Sequence, residues 1–395
     1  QYRGELNIDP LLLSSAGQEP LRASIHLPVV LLKDEVDLRG ARISTVNSVI
    51  NLTGALQNMK SPQISGNLDA HIALSDIQQA SHFSLDTSWK GAPSALDASA
   101  AIHMDEQTIR ISTAQLTLGK TKLTASGPLK SATSEGSLKV NLHIALDEVG
   151  KLLRLSAQPS GNVDVAGDAR FSSSSDYLFT GNIDARKISV REGKTAINGL
   201  NLSSPLQADP RKIALNGFRF AGLGGEITGN AQLEQGERLQ LESRVSGFSI
   251  PRLTASFTGQ QVNYDGTLSG SVTVQGNLKS AGTTGFAAQA HLGITPGGHG
   301  VPISGAINAD YQGRNNAVVL GKSYLGLPHS RLDISGVLGR QVDAHLVSRN
   351  LNDFLPMLAL GSGKPATSMP VTLSGGIADI TASVTGPLSS PNLAG

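Results

Sequence analysis

KLTASGPLKSATSEGSLKVNLHIALDEVGKLLRL, residues Lys122–Leu155, holds the fold in miniature. Leu123, Ala125, Gly127 and Leu129 alternate with polar or small residues. After a polar turn, Leu138, Val140, Leu142, Ile144 and Leu146 alternate again. A period of two over this length is a strand with one apolar and one wetted face. The period then changes: Asp147 is placed to cap a short helix whose Val149, Leu152 and Leu153 share a side. The unit is strand, turn, long strand, one or two helical turns.

The grammar recurs on both sides. Tyr2–Ile8 is strand-like and is followed by Asp9-Pro10 and a second apolar run, then Ser24–Leu32 and a charged turn at Lys33–Asp37. Ala41–Leu56 alternates through Ile43, Ile50, Leu52 and Gly54. A turn with Pro62, the strand ISGNLDAHIAL and Ser75-Asp76-Ile77 follow. Ile109, Ile111, Leu116 and Leu118 lead into the opening stretch; Asn162–Ala169 and Leu178–Val190 give further strands. Ile213, Leu215, Phe218 and Phe220 precede EITGNAQL, and Tyr264–Leu278 alternates through Leu268, Val272, Val274 and Leu278. The last full copy, from Arg331, runs Leu332, Ile334, Gly336, Leu338, then Val342, Ala344, Leu346, then a helical turn with Leu351, Phe354, Leu355 and Leu358. Gly54, Gly127, Gly229 and Gly336 match between copies, roughly 70–110 residues apart, far longer than the 20–50-residue period of ordinary solenoids. The segments divide as 1–40, 41–121, 122–212, 213–330 and 331–395, the last cut short. The Gly-rich Thr295–Gly300 and Gly361–Pro365 suit mobile loops or junctions between copies.

Composition agrees with a long sheet. Glycine supplies 44 of 395 residues, charged residues 16% and aromatics 4%, which suits many turns and suits a compact enzyme core poorly. A formal net charge of +1 leaves no electrostatic footprint for nucleic acid. Without cysteine there is no disulfide frame, thiolate metal site or cysteine nucleophile. No apolar run reaches the ~18–20 residues of a bilayer span. The start at Gln1 without a signal peptide, and the end at Gly395 directly after a turn, lead to the expectation of an internal piece of a longer protein.

Chemistry-bearing patterns are few. The nine histidines are scattered, and His71, His103, His143 and His345 sit in alternating strands, which favours a strand face over a metal site. Asp34, Glu35 and Asp37, and the pair Asp105-Glu106, lie in turn-like contexts. Gly222-Leu-Gly224-Gly225 lacks the third glycine and the helix of a dinucleotide loop. Gly361-Ser-Gly363-Lys364 is followed by Pro365 where a phosphate loop needs Ser or Thr. Asn51-Leu-Thr53 and Asn201-Leu-Ser203 are chance matches to the glycosylation pattern. The reading is of a protein that is not an enzyme and holds no cofactor.

An all-β sheet whose strands each carry an apolar face must cover that face. Two sheets would make a sandwich; one long sheet can instead curl into an elongated, twisted groove, with the short helices plugging or lining its rim. The expected groove lining is Leu123, Leu129, Leu138, Val140, Leu142 and Ile144, with Leu268, Val272, Val274, Leu332, Ile334 and Leu338. An apolar trough needs no sharp motif, and at ~0.8 kcal/mol per buried CH₂ a sixteen-carbon chain gains on the order of 10 kcal/mol in it.

The quoted stretch, its counterpart RLDISGVLGRQVDAHLVSRNLNDFLPML and the closing VTGPLSSPNLAG resemble the AsmA-like superfamily, and within it the translocation and assembly module (TamB-like) branch. The resemblance lies in strand grammar and covers most of the chain from about residue 40. It implies a curled β-groove with a hydrophobic interior in the periplasm of a diderm bacterium, anchored in the inner membrane by an N-terminal helix outside this chain. It further implies phospholipid acyl chains as cargo, transport between inner and outer membrane, and a part in outer-membrane protein assembly with an Omp85-type partner. No docking strand for that partner is recognisable here. The alternative is an extracellular β-solenoid or β-sandwich serving as adhesin or scaffold; a transmembrane barrel would need aromatic girdles the chain does not supply.

Overall fold

A computed structural model describes residues 1–13, 20–81, 84–105, 107–130, 133–193, 195–260, 262–280, 282–357, 369, 371, 373–386 and 392–394. The fold is all-β: one long antiparallel sheet that does not close on itself, with a few short helices. Two compact units divide the chain. The first is Gln1–Ile188 with Gln207–Pro210, and the second is Ser189–Leu206 with Arg211–Gly395. The boundary falls within the expected segment 122–212.

The first unit is a meander of β1 (Tyr2–Leu13), β2 (Leu21–Leu31), β3 (Glu35–Ser44), β4 (Val49–Gln57), β5 (Gln63–Ala73), β6 (Ala95–Asp105), β7 (Thr108–Leu118), β8 (Thr121–Lys130), β9 (Gly136–Ala145) and β10 (Gln158–Phe171). Each pairs antiparallel with the next, from β1 to β10. Helix α1 (Leu74–Ala80) follows β5, and α2 (Leu146–Leu152) follows β9. In a meander alternate strands share a direction, so both helices leave the same edge of the sheet.

Two strands are β11 (Tyr177–Glu192) and β12 (Thr195–Ala208). The second unit continues with β13 (Lys212–Gly222), β14 (Gly225–Glu234), β15 (Arg238–Ser249), α3 (Ile250–Thr258), β16 (Tyr264–Asn277) and β17 (Phe286–Pro296). After β18 (Val301–Pro302) come β19 (Ser304–Gln312), β20 (Ala317–Leu327), β21 (Ser330–Val337), β22 (Gln341–Ser348), a 3₁₀ turn (Leu351–Phe354), β23 (Ala378–Thr385) and β24 (Asn392–Ala394). β17 pairs directly with β19, and the ladder runs antiparallel from β13 to β24. The helical turns after β15 and β22 again leave one edge of the sheet.

The recurring glycines occupy one structural position. Gly54, Gly127, Gly229 and Gly336 lie in β4, β8, β14 and β21, each the strand just before a helix-bearing one. A Cβ there would stand 2.9, 2.1, 2.0 and 2.4 Å from the carbonyl oxygens of Ser65, Ser137, Glu242 and Gln341 on the following strand. The close approach of two backbones requires glycine there.

Several boundaries differ from expectation. Asp9-Pro10 does not end a strand: β1 runs on to Leu13, with a register shift between Ile8 and Leu11 that absorbs the pair as a bulge. The Ala41–Leu56 run is two strands. Thr45 breaks it, its hydroxyl accepting from the backbone N–H groups of Asn47 (3.2 Å) and Ser48 (2.8 Å), a local turn that alternation alone does not register. The loop within Thr295–Gly300 is pinned. Gly297 N–H donates to the Asp265 carbonyl at 3.0 Å, His299 N–H to its carboxylate at 2.7 Å, and β18 pairs parallel with the start of β16. Gly361–Pro365 and Leu358 lie outside the described residues.

Candidate functional site: an apolar face and the helices at its edge

Register converts alternation into rows that cross the strands. In the first unit Ile8, Ile25, Ile43, Ile50, Ala70, Ala98, Leu116, Leu123, Leu142 and Val165 are successive partners across ten strands, with no polar residue among them. A parallel row runs Tyr2, Leu31, Val36, Leu56, Ile64, Met104, Ile109, Leu129, Gly136, Phe171. At ~4.8 Å between strands such a row has a contour of about 43 Å.

This face is not covered by a second layer. The only large apolar side chains buried among the described residues of the first unit are Leu74 and Leu152, both in helices; the others are alanines. Leu116 in the first row and Ile102, which lies between the rows on β6, remain 38% and 40% exposed. The inner face of a sandwich would bury such residues. Across β3–β6 the face is concave: Val36, Leu38, Leu52, Leu56, Ile64, Leu68, Ala100 and Ile102 line an open cavity of about 450 Å³.

In the second unit Phe248, Leu268, Ile294, Gly305, Leu325, Leu332, Leu346 and Ile380 form one row. A cavity of about 370 Å³ is lined by Leu202, Leu215, Phe218, Phe220, Ile227, Ala231, Leu241, Val245 and Val272. Near the helix-bearing edge, Val262, Tyr264, Ile294 and Ile303 are buried against Ile250, Leu268, Val301, Ile307, Leu325 and Leu327.

The structure brings most of the expected lining residues onto these faces. Leu123 and Leu142 belong to the first row and Leu129 to the second. Leu138, Val140 and Ile144 on β9 face Ala169, Gly167 and Val163 of β10. In the second unit Leu268 and Leu332 belong to the row, Val272 and Val274 face Ala290 and Ala288, and Ile334 faces Ala344. Leu338 is placed differently. It lies in the β21–β22 turn, its N–H donating to the Val318 carbonyl at 2.9 Å, because the chain reverses before the alternation can continue.

In each unit the helices dock onto the sheet through a device that recurs. Each helical turn sits against the hairpin turn two strands back, and the third helical residue makes the contact. Asp76 of α1 accepts from the hydroxyls of Thr45 and Ser48 (2.5 Å) and from Asn47 Nδ2 (3.1 Å) in the β3–β4 turn. Glu148 of α2 accepts from the Lys120 N–H at 2.7 Å in the β7–β8 turn, where Gly119 (φ +56°) leaves space for its carboxylate. Asp353 accepts from the His329 N–H (2.7 Å) and the Ser330 hydroxyl (2.8 Å) at the β20–β21 turn, while Tyr264 donates to its carbonyl at 2.9 Å. These three carboxylates are the only buried charged residues among the described ones. Their burial is tolerated because polar donors converge on each. In α3 the third residue is Arg252, lying beside Gly224 of the β13–β14 turn.

Asp147 does not cap α2. The N-cap is Ala145, with no side-chain cap bond, and Asp147 instead pairs with Lys120 Nζ at 3.3 Å. Burial raises the Asp76 pKa, but the hydrogen bonds from Ser48, Thr45 and Asn47 outweigh it, so its carboxyl titrates below the usual range. Burial, then the Asp353 charge, pushes the Tyr264 phenol up to about 12.

The opposite face is polar and exposed. His71, His143 and His345 bond Asp97 (2.7 Å), Asp164 (2.6 Å) and Asp379 (2.8 Å) across strands, and His103 stands opposite Ser65 and Arg110. No group of three or more potential metal ligands converges among the described residues. Asp34 accepts from the Met59 N–H, Glu35 from Gln57 and Asp37 from Arg39. Asp105 ends β6, and Glu106 lies outside the described residues. Leu223 (φ +54°) and Gly224 (φ +83°) form the two-residue turn of the β13–β14 hairpin, the conformation favoured between twisted strands. Asn51 and Asn201 are exposed strand residues of β4 and β12, and Gly361–Lys364 lies outside the described residues. No helix among the described residues is long and apolar enough to cross a membrane. The chain matches no protein-family model, no curated protein and no solved structure.

Proposed function

We propose that the apolar face is a track for acyl chains, and that the chain is a section of an AsmA-like, TamB-like groove carrying phospholipid between the inner and outer membranes of a diderm bacterium. The observation that supports this most is the uncovered row of ten apolar residues across β1–β10. A sheet that leaves such a face without a second layer carries apolar surface far beyond scattered exposed residues, and contiguous patches of that kind mark binding sites. Rows of uniform apolar character let a chain move in small steps without meeting a specific contact, which favours conduction over tight capture. The protein then acts by binding and passage, without catalysis. An Omp85-type partner in outer-membrane assembly belongs to the same reading.

Photo-crosslinking tests it. A photoreactive residue at Val140, on the apolar face, should label with phospholipid in cells, whereas one at the neighbouring Asn141, on the polar face, should not. Equal labelling from both positions, or from neither, would remove the case for the track.

A further inference from the structure

Resting on that reading, we infer that the edge of the sheet opposite the helices holds the phosphate of a phospholipid at Lys33 and Lys60, while its acyl chain lies in the cavity across β3–β6. The β2–β3 and β4–β5 turns meet at this edge. Asn58 N–H donates to the Asp34 carbonyl at 3.0 Å and Met59 N–H to the Asp34 carboxylate at 2.9 Å. These two bonds bring Lys33 and Lys60 to neighbouring turn tips.

The surroundings have the chemistry of an amphiphile site. The cavity begins one step inward, at the partners Val36 and Leu56. Leu32 and Met59, beside the two lysines, are exposed at 38% and 48%. The nearby carboxylates Asp34 and Glu35 take their hydrogen bonds from Met59 N–H and Gln57 Nε2 (3.2 Å) rather than from either lysine. Farther along the same edge, Lys130 is paired with Glu135 at 2.6 Å, whereas neither Lys33 nor Lys60 has a carboxylate within ion-pair distance among the described residues. Two ammonium groups beside an apolar cavity fit a phosphate diester joined to an acyl tail.

The test compares uptake of fluorescent phosphatidylglycerol, phosphatidylethanolamine and diacylglycerol with identical acyl chains, by the wild-type protein and by Lys33→Ala/Lys60→Ala and Lys33→Glu/Lys60→Glu. Both lysines are exposed, so the variants fold. The alanine pair should lose about fivefold in uptake of both phospholipids, two exposed contacts' worth, and the glutamate pair more, with diacylglycerol unchanged. A loss confined to phosphatidylglycerol would show attraction of net charge and overturn the phosphate assignment. Unchanged phospholipid uptake would overturn the inference and leave the track standing; no uptake of any of the three by the wild type would overturn the track itself.

Discussion

Replacing Asp353 by alanine should unfasten one helical turn from the sheet while leaving the sheet intact. The carboxylate is buried, at 6% exposure, and takes hydrogen bonds from the His329 N–H and the Ser330 hydroxyl. A hydrogen bond to a charged group is worth about 1.5–3 kcal/mol. Ser330 keeps a bond to the Ser348 hydroxyl at 2.8 Å, so part of its share is recovered. The His329 amide has no such recourse. The net cost is about 2–4 kcal/mol, and in a meander built on nearest-neighbour contacts it falls locally. Hydrogen exchange resolves this. The His329 amide should exchange about 30- to 1,000-fold faster, with the β14–β15 ladder unaffected. Asp353→Asn, which keeps an acceptor, should lie between wild type and alanine. Unchanged protection at His329, or an asparagine variant as damaged as alanine, would refute the assignment of the carboxylate as the fastening group.

Three other outcomes follow from the same geometry. Gly229→Ala drives a Cβ against the Glu242 carbonyl and should cost about 3 kcal/mol, the upper end of overpacking penalties; Gly293→Ala, whose nearest neighbour is 3.8 Å away, should be near neutral by urea denaturation. Because the Asp76 pKa is depressed in the folded state, its contribution to stability is complete above the unfolded value of ~3.9 and is lost as pH falls through the folded value. The stability gap between wild type and Asp76→Asn, from denaturation at a series of pH values, should therefore be constant at neutral pH and close only below that point. The raised Tyr264 pKa has the opposite sign. Its contribution is full below ~10 and lost as pH rises toward about 12, which an ultraviolet difference titration lacking one tyrosine step at pH 10–11 would show.

Much of this architecture was legible because a strand's period is two and its faces are therefore written in the sequence. Leu123 to Leu129 and Leu138 to Ile144 fall on the apolar face, and the glycines at 54, 127, 229 and 336 mark one position. What was not legible depends on partners distant in sequence. Glu148, not Asp147, fastens α2, and its partner Lys120 comes two strands earlier, so only register reveals it. A clue existed: His71-Ile-Ala-Leu74 recurs as His143-Ile-Ala-Leu146, each followed within two residues by the buried carboxylate. Thr45 and the Leu338 turn were hidden for a different reason. A turn closed locally, by the Thr45 hydroxyl in one case and by the Arg340 N–H on the Val337 carbonyl at 3.1 Å in the other, interrupts a strand without breaking the apolar pattern around it. The uncovered state of the face also cannot be read from alternation, since a sandwich writes the same pattern.

Native mass spectrometry of the purified protein, with organic extraction of what accompanies it, asks whether this face holds acyl chains. Bound phospholipid should be present in the wild type and lost from Val140→Asp, which sets a charge among the apolar rows at a half-buried position without removing a core contact. A clean mass for the wild-type protein, with no uptake from labelled vesicles, would rule out an acyl track and leave the apolar face to be covered by protein.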